Sequence, residues 1–139
     1  MMNPIQLCTF YMNDHLFGIE VDRIQEVIKN HQMTPVPLAP SFVGGLINLR
    51  GQIVMAIDLK DKMNLVKTQG YTSLMNIVLR QGDSLISLLV DSVGDVISVS
   101  PEQIESEQHH LPPEISKLIK GICKTENALL MVLDPEQLI

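Results

Sequence analysis

The chain contains two copies of one pattern, in order, and that repetition restricts its fold more than any single motif does. Moved by 69 positions, Leu16-Phe-Gly-Ile-Glu-Val-Asp-Arg-Ile-Gln-Glu-Val-Ile28 lies over Leu85-Ile-Ser-Leu-Leu-Val-Asp-Ser-Val-Gly-Asp-Val-Ile97. The turn signals Asn13-Asp14 and Gly82-Asp83 coincide, as do Cys8 with Ile77 and Phe10 with Leu79. Moved by 76 positions, Gly45-Leu46-Ile47 lies over Gly121-Ile122-Cys123, and Ile53–Asp58 over Leu129–Asp134. A seven-residue insertion between Ser100 and Pro113 reconciles the two offsets. Each half holds about five short apolar runs bounded by Gly, Asn, Asp or Pro, the pattern of short strands. Five such strands cannot cover both faces of an open sheet, whereas a small closed barrel removes the edges and hides one face. The expected fold is therefore all-β: two five-stranded barrels related by an internal pseudo-twofold, with short helices. Alternation predicts that Cys8, Phe10, Phe17, Ile19 and Val21 face the first interior, and Ile77, Leu79, Ile86, Leu88 and Val90 the second.

The expected division is one domain over residues 1–139, with a first subdomain at about 14–68 and a second at about 74–139. The first subdomain takes a further strand from one terminus, and the opening run 5–12 is compatible with either barrel. Val21–Ile28 has apolar residues at helical spacing but fits equally a turn feeding a twisted strand. Met33–Pro40 carries three prolines and reads as a stiff extended connector. Asp58–Leu65 predicts a short amphipathic helix, Gln69–Ser73 a loop, and Pro101–Ile104, Glu114–Lys120 and Asp134–Ile139 further helical turns, two of them opened by proline.

A formal charge of −6 and the lack of a Lys/Arg cluster argue against nucleic acid. No apolar run approaches the roughly 18–20 residues of a membrane span, and the N-terminus lacks a basic n-region with an apolar h-region. Cys8 and Cys123 stand singly, so buried reduced thiols in the cytoplasm are the expectation. His15, His31 and His109-His110 lack metal-ligand spacing, no Gly-rich loop precedes a Lys-Ser/Thr, and Ser87 and Ser92 lack a nucleophile setting. Asp22 and Asp91, and Asp58 and Asp134, are repeat mates at strand ends, which fits a recurring cap rather than a catalytic pair. No catalytic residues, cofactor or metal are expected.

Binding remains, and one segment breaks the symmetry. Asn48-Leu-Arg-Gly51 aligns with Lys124-Thr-Glu-Asn127 in the second copy. Barrel geometry therefore does not demand Arg50, and a guanidinium at the tip of an apolar hairpin calls for an anionic or carbonyl partner. Two small barrels side by side would also leave an apolar groove along their junction.

The chain resembles the CheW-like coupling proteins of bacterial chemosensory systems. The resemblance rests on Pro40-Ser-Phe-Val-Gly-Gly-Leu-Ile-Asn-Leu-Arg-Gly-Gln-Ile-Val54, then Ile57-Asp-Leu59, Phe17-Gly-Ile-Glu-Val21, Gln25-Glu-Val-Ile28 and Leu89–Ile97. It implies two SH3-like barrels and a non-catalytic adaptor. Its partners would be the cytoplasmic tips of methyl-accepting chemoreceptors and the regulatory domain of a CheA-type histidine kinase. The same role in pilus or gliding motility is the alternative, and a small-ligand-binding barrel is a more distant one. Carried over by motif, the partner-binding residues would be Ile24, Glu26, Val27, Gly45, Leu46, Asn48, Arg50 and Gly51, with Val96 as repeat mate of Val27. The resemblance implies a cytoplasmic protein recruited to receptor arrays and mainly monomeric alone.

Overall fold

The computed structural model describes residues 3–29, 31–66, 74–106, 111–126 and 128–138. The loop expected at Gln69–Ser73 and the pair His109-His110 lie outside them. The first hairpin joins β1 (Ile5–Met12) to β2 (His15–Glu20) through Asn13-Asp14, with Asn13 at a φ of 55°. A 3-10 turn at Val21–Arg23 feeds β3 (Ile24–Lys29), which settles the helix-or-strand ambiguity there as a turn followed by a strand. A second hairpin pairs β4 (Val43–Leu49) with β5 (Gln52–Asp58). The short helix α1 (Leu59–Lys62) follows, its N-terminus capped by Asp58 Oδ1, which accepts from the Asp61 N–H at 3.3 Å.

The second half runs through β6 (Met75–Gln81), β7 (Ser84–Val90), β8 (Ser92–Val99) and a 3-10 turn at Pro101–Gln103. It continues with β9 (Ile104–Glu105), α2 (Pro113–Ser116), β10 (Ile119–Lys124), β11 (Leu129–Leu133) and a 3-10 turn at Pro135–Gln137. Asp134 Oδ1 accepts from the Glu136 N–H at 3.1 Å, so the two recurring aspartates, Asp58 and Asp134, are both helix caps.

Two compact units result, and their limits differ from those expected at 14–68 and 74–139. Unit 1 holds Met1–Arg23 with Val93–Ile139, and unit 2 holds Ile24–Ser92. Strand order is β8-β1-β2-β11-β10-β9 in the first sheet and β3-β6-β7-β5-β4 in the second. The first sheet thus has six strands where five were expected, the extra one being the two-residue β9. Apart from β9, the two orders are the same once repeat mates are exchanged. Each hairpin closes the sheet built by the other half, and β1 settles beside β8. The register repeats as well: Met55 opposite Ile86 and Ala56 opposite Ser87 become Met131 opposite Phe17 and Val132 opposite Gly18.

The reason for the interlacing is the length of one connection. In unit 2 the third strand begins beside the end of β6 (Ile24 opposite Leu79), whereas β7 ends beside its start (Val90 opposite Met75). A strand following β7 within the same sheet would have to begin about 13 Å along and about 10 Å across from Val90. Asp91 alone separates β7 from β8 and spans at most about 7 Å. The chain must therefore leave for the other sheet.

The interior faces are the reverse of those expected from alternation. Unit 1 packs Leu7, Val99, Cys123, Leu130 and Val132 together, and unit 2 packs Ile47, Leu49, Val54 and Val78. Cys8, Phe10, Phe17 and Ile19, and Ile77, Leu79, Ile86, Leu88 and Val90, sit on the opposite faces of their strands and are buried there. Val21 lies in the 3-10 turn and is half-buried. With both faces buried, the period of two marks strands but does not tell inside from outside. The stacked rings of Phe10 and Phe17, 5.6 Å between centroids, belong to that second face.

Candidate functional site

Eight of the nine expected site residues lie in unit 2, and strand register orders most of them. A register shift between Ile24 and Glu26 inserts Gln25 as a bulge. Ile24 and Val27 consequently share one face of the sheet while Glu26 takes the other. Ile24, Leu79, Ile86, Met55 and Leu46 form one cross-strand row, and Glu26, Val78, Ser87, Ala56 and Gly45 form a second on the opposite face. The candidates thus occupy the two edge strands, β3 and β4.

Those edges are linked by side chains and by the segment that follows β3. The β4–β5 turn has Arg50 at φ 52° and Gly51 at φ 88°, both left-handed, as a type I′ hairpin requires. Asn48 Oδ1 accepts from the Gly51 N–H at 2.9 Å and so braces the turn. Arg50 Nη2 donates to Glu26 Oε1 across the gap between the edges. His31 Nε2 meets the Asn48 carbonyl oxygen at 3.1 Å, and Thr34 exchanges two backbone bonds of 2.8 Å with Leu46. Gly45, at φ 153°, allows that approach: a Cβ there would lie 2.9 Å from the Thr34 carbonyl oxygen.

The guanidinium stays 67% exposed while its Glu26 partner is 26% exposed. The hydrogen bond and charge of Glu26 raise the Arg50 pKa, which keeps the group cationic. Apolar side chains stand exposed on the same strands, Val27 on β3 and Ile53 opposite Asn48 on β5. Arg50 thus keeps exposed donors at the tip of the β4–β5 hairpin, while Val27 and Ile53 are exposed on the sheet face opposite to that of Glu26. Val96, on β8, belongs to unit 1 and is exposed.

Two features were missed from sequence. Lys60 Nζ and Asp91 Oδ1 pair at 2.8 Å, with side chains 9% and 10% exposed. Their repeat mates are Glu136 and Asp22, but Glu136 pairs at 2.7 Å with Arg23, the mate of Ser92, so the second copy replaces the link with a pair one position along. The opposite charges of the mates Lys60 and Glu136 were the available signal. Unit 1 also carries an apolar cleft of about 300 Å³ lined by Leu16, Leu111, Ile122, Leu129 and Met131, with Asp14 and His15 at its wall. Among the described residues no group of three or more His, Cys, Asp or Glu side chains is placed to hold a metal, and no helix is long and apolar enough to cross a membrane.

Comparison with known proteins places this geometry. The family model described as "CheW-like domain" matches residues 6–139. The chain is 30% identical over 142 residues to "Chemotaxis protein CheW" of Treponema pallidum, covering 96% of this chain and 81% of that protein. It is also 30% identical over 129 residues to "Chemotaxis protein CheW" of Bacillus subtilis, covering 93% and 83%. The crystal structure of scaffolding protein TtCheW from Thermoanaerobacter tengcongensis superposes with a TM-score of 0.84 at 27% identity, over 94% of this chain and 89% of that one. With two interlaced SH3-like barrels and a family match across nearly its whole length, the chain belongs to the CheW-like domain family.

Proposed function

We propose that this chain is a non-catalytic scaffold of a bacterial chemosensory array. In this reading it works in the cytoplasm, coupling the tips of methyl-accepting chemoreceptors to the regulatory domain of a CheA-type histidine kinase. The names of its relatives, chemotaxis proteins and a scaffolding protein, support the general role. The observation that carries the finer one is the exposed Asn48–Gly51 turn, with Arg50 bound to Glu26 and with Val27 and Ile53 exposed on strands of the same sheet. A receptor tip is a helical hairpin, and a helix presents apolar anchors at i, i+3 and i+4 with polar groups at their margin. Val27, Ile24 and Leu46 would take the anchors. Arg50, fixed in direction by Glu26, would keep donors free for a carboxylate or carbonyl of the helix.

Isothermal titration with a receptor-tip hairpin and with the kinase regulatory domain tests this. Arg50→Ala should weaken receptor-tip binding about thirtyfold, the loss expected on truncating a central arginine contact. The melting temperature should hardly move, because exposed ion pairs add little to stability. Unchanged affinity for both partners removes the binding role, and a collapsed melting temperature makes Arg50 structural instead.

A further inference from the structure

Two polar side chains lie fully buried in unit 2, where the equivalent place in unit 1 is apolar. Asn76 is 1% exposed and Ser87 is 0% exposed, and Ser87 Oγ donates to Asn76 Oδ1 at 2.8 Å. Asn76 Nδ2 is buried without a hydrogen-bond partner among the described residues. Their repeat mates are Leu7 and Gly18, so the barrel does not require polarity here. The facing strands differ in compensation. β5 offers Val54 and Ala56 to the Asn76–Ser87 hairpin, and β11 offers the larger Leu130 and Val132 to the Leu7–Gly18 hairpin. The fit is close in unit 1, where a Cβ on Gly18 would meet Leu130 Cδ2 at 3.2 Å.

A duplicated chain has a pairing problem that these differences answer. Each hairpin must close a sheet made by another stretch of chain, and the two sheets share order and register. A hairpin could therefore enter the wrong one of the two sheets, in its own chain or in a neighbouring copy, and the second exchange gives domain-swapped oligomers. We propose that Asn76, Ser87, Val54 and Ala56, set against Leu7, Gly18, Leu130 and Val132, form a size-and-polarity key that decides which hairpin closes which sheet. A Ser87 hydroxymethyl in the Gly18 position would press on Leu130, and Asn76 would bury its amide among leucine and valine. Gly18 in the Ser87 position, beside Val54 and Ala56, would leave a void. The unsatisfied Asn76 amide is the stability given up for this choice of partner.

The test is refolding of the full chain from urea at several protein concentrations, followed by size exclusion with light scattering. The variant Asn76→Leu/Ser87→Gly/Val54→Leu/Ala56→Val gives unit 2 the four residues that already pack together in unit 1. Its melting temperature should equal or exceed that of the wild type. It should nonetheless lose the wild-type size distribution, giving larger species whose share rises with refolding concentration. A distribution matching the wild type at every concentration overturns the key. So does a gain of larger species together with a lower melting temperature, which marks plain destabilisation. If the quadruple variant does not fold, Asn76→Leu/Ser87→Ala, which removes the polar pair without opening the void, is judged by the same two readings.

Discussion

Single side chains in this protein are best understood beside their repeat mates. Lys60 and Glu136 are repeat mates that each hold a partner of opposite charge, yet the Lys60–Asp91 pair is nearly buried while Glu136 is 65% exposed. Removing one partner of a buried pair leaves an uncompensated charge, so Lys60→Ala should cost about 3–5 kcal/mol in urea unfolding. Arg23→Ala should cost about 0–1 kcal/mol, because water already screens that pair. Equal losses would mean that burial does not separate them. The thiols of Cys8 and Cys123 make a second residue-scale prediction. Burial raises both pKa values above the ordinary 9.0, so the unfolded chain gives up these protons first as pH rises. Their contribution is complete below that ordinary value and is lost as pH climbs through the raised folded values. The urea midpoint should therefore fall between pH 8 and pH 10, and fall less in Cys8→Val.

At the scale of elements, the close approach of Thr34 to β4 depends on a missing side chain. Gly45→Ala should push Thr34 away, costing about 1–3 kcal/mol by overpacking. Hydrogen exchange would show it as faster exchange at the Thr34 and Leu46 amides, which donate across that bridge. The elements themselves were largely readable in advance. Asn13-Asp14, Gly82-Asp83 and Arg50-Gly51 each sit between alternating apolar runs, and all three turn hairpins. The caps at Asp58 and Asp134 followed from their recurrence before helical turns. What could not be read depends on residues far apart in the chain. The link between Arg50 and Glu26 spans 24 positions and needs the bulge at Gln25 to aim Glu26. The inner face was hidden because Leu7 and Cys8, or Ile77 and Val78, are apolar neighbours that are both buried. The exchange of hairpins was hidden because homologous halves give each strand two equivalent partners, and only the reach of Asp91 separates the choices.

For the whole molecule, the main fact is that unit 2 is continuous and unit 1 is split around it. While unit 2 is folded it holds the two pieces of unit 1 near each other. Once it unfolds, those pieces are joined by a free loop of 69 residues, whose closure costs about 4 kcal/mol. Unit 1 should therefore open with unit 2 still folded, but not the reverse. Native-state hydrogen exchange checks this: Lys60→Ala, although confined to unit 2, should lower protection in both units, while Arg23→Ala should affect unit 1 alone.

The same split has a consequence during synthesis. The β1–β2 hairpin, with Phe10 and Phe17, leaves the ribosome well before its neighbour β11, which is made roughly 110 residues later. At ordinary elongation rates the hairpin waits about 5–20 seconds with its aromatic face uncovered. Over that interval nascent chains on one polysome are near enough to capture each other's hairpins, and chaperone demand should peak before the last strand emerges.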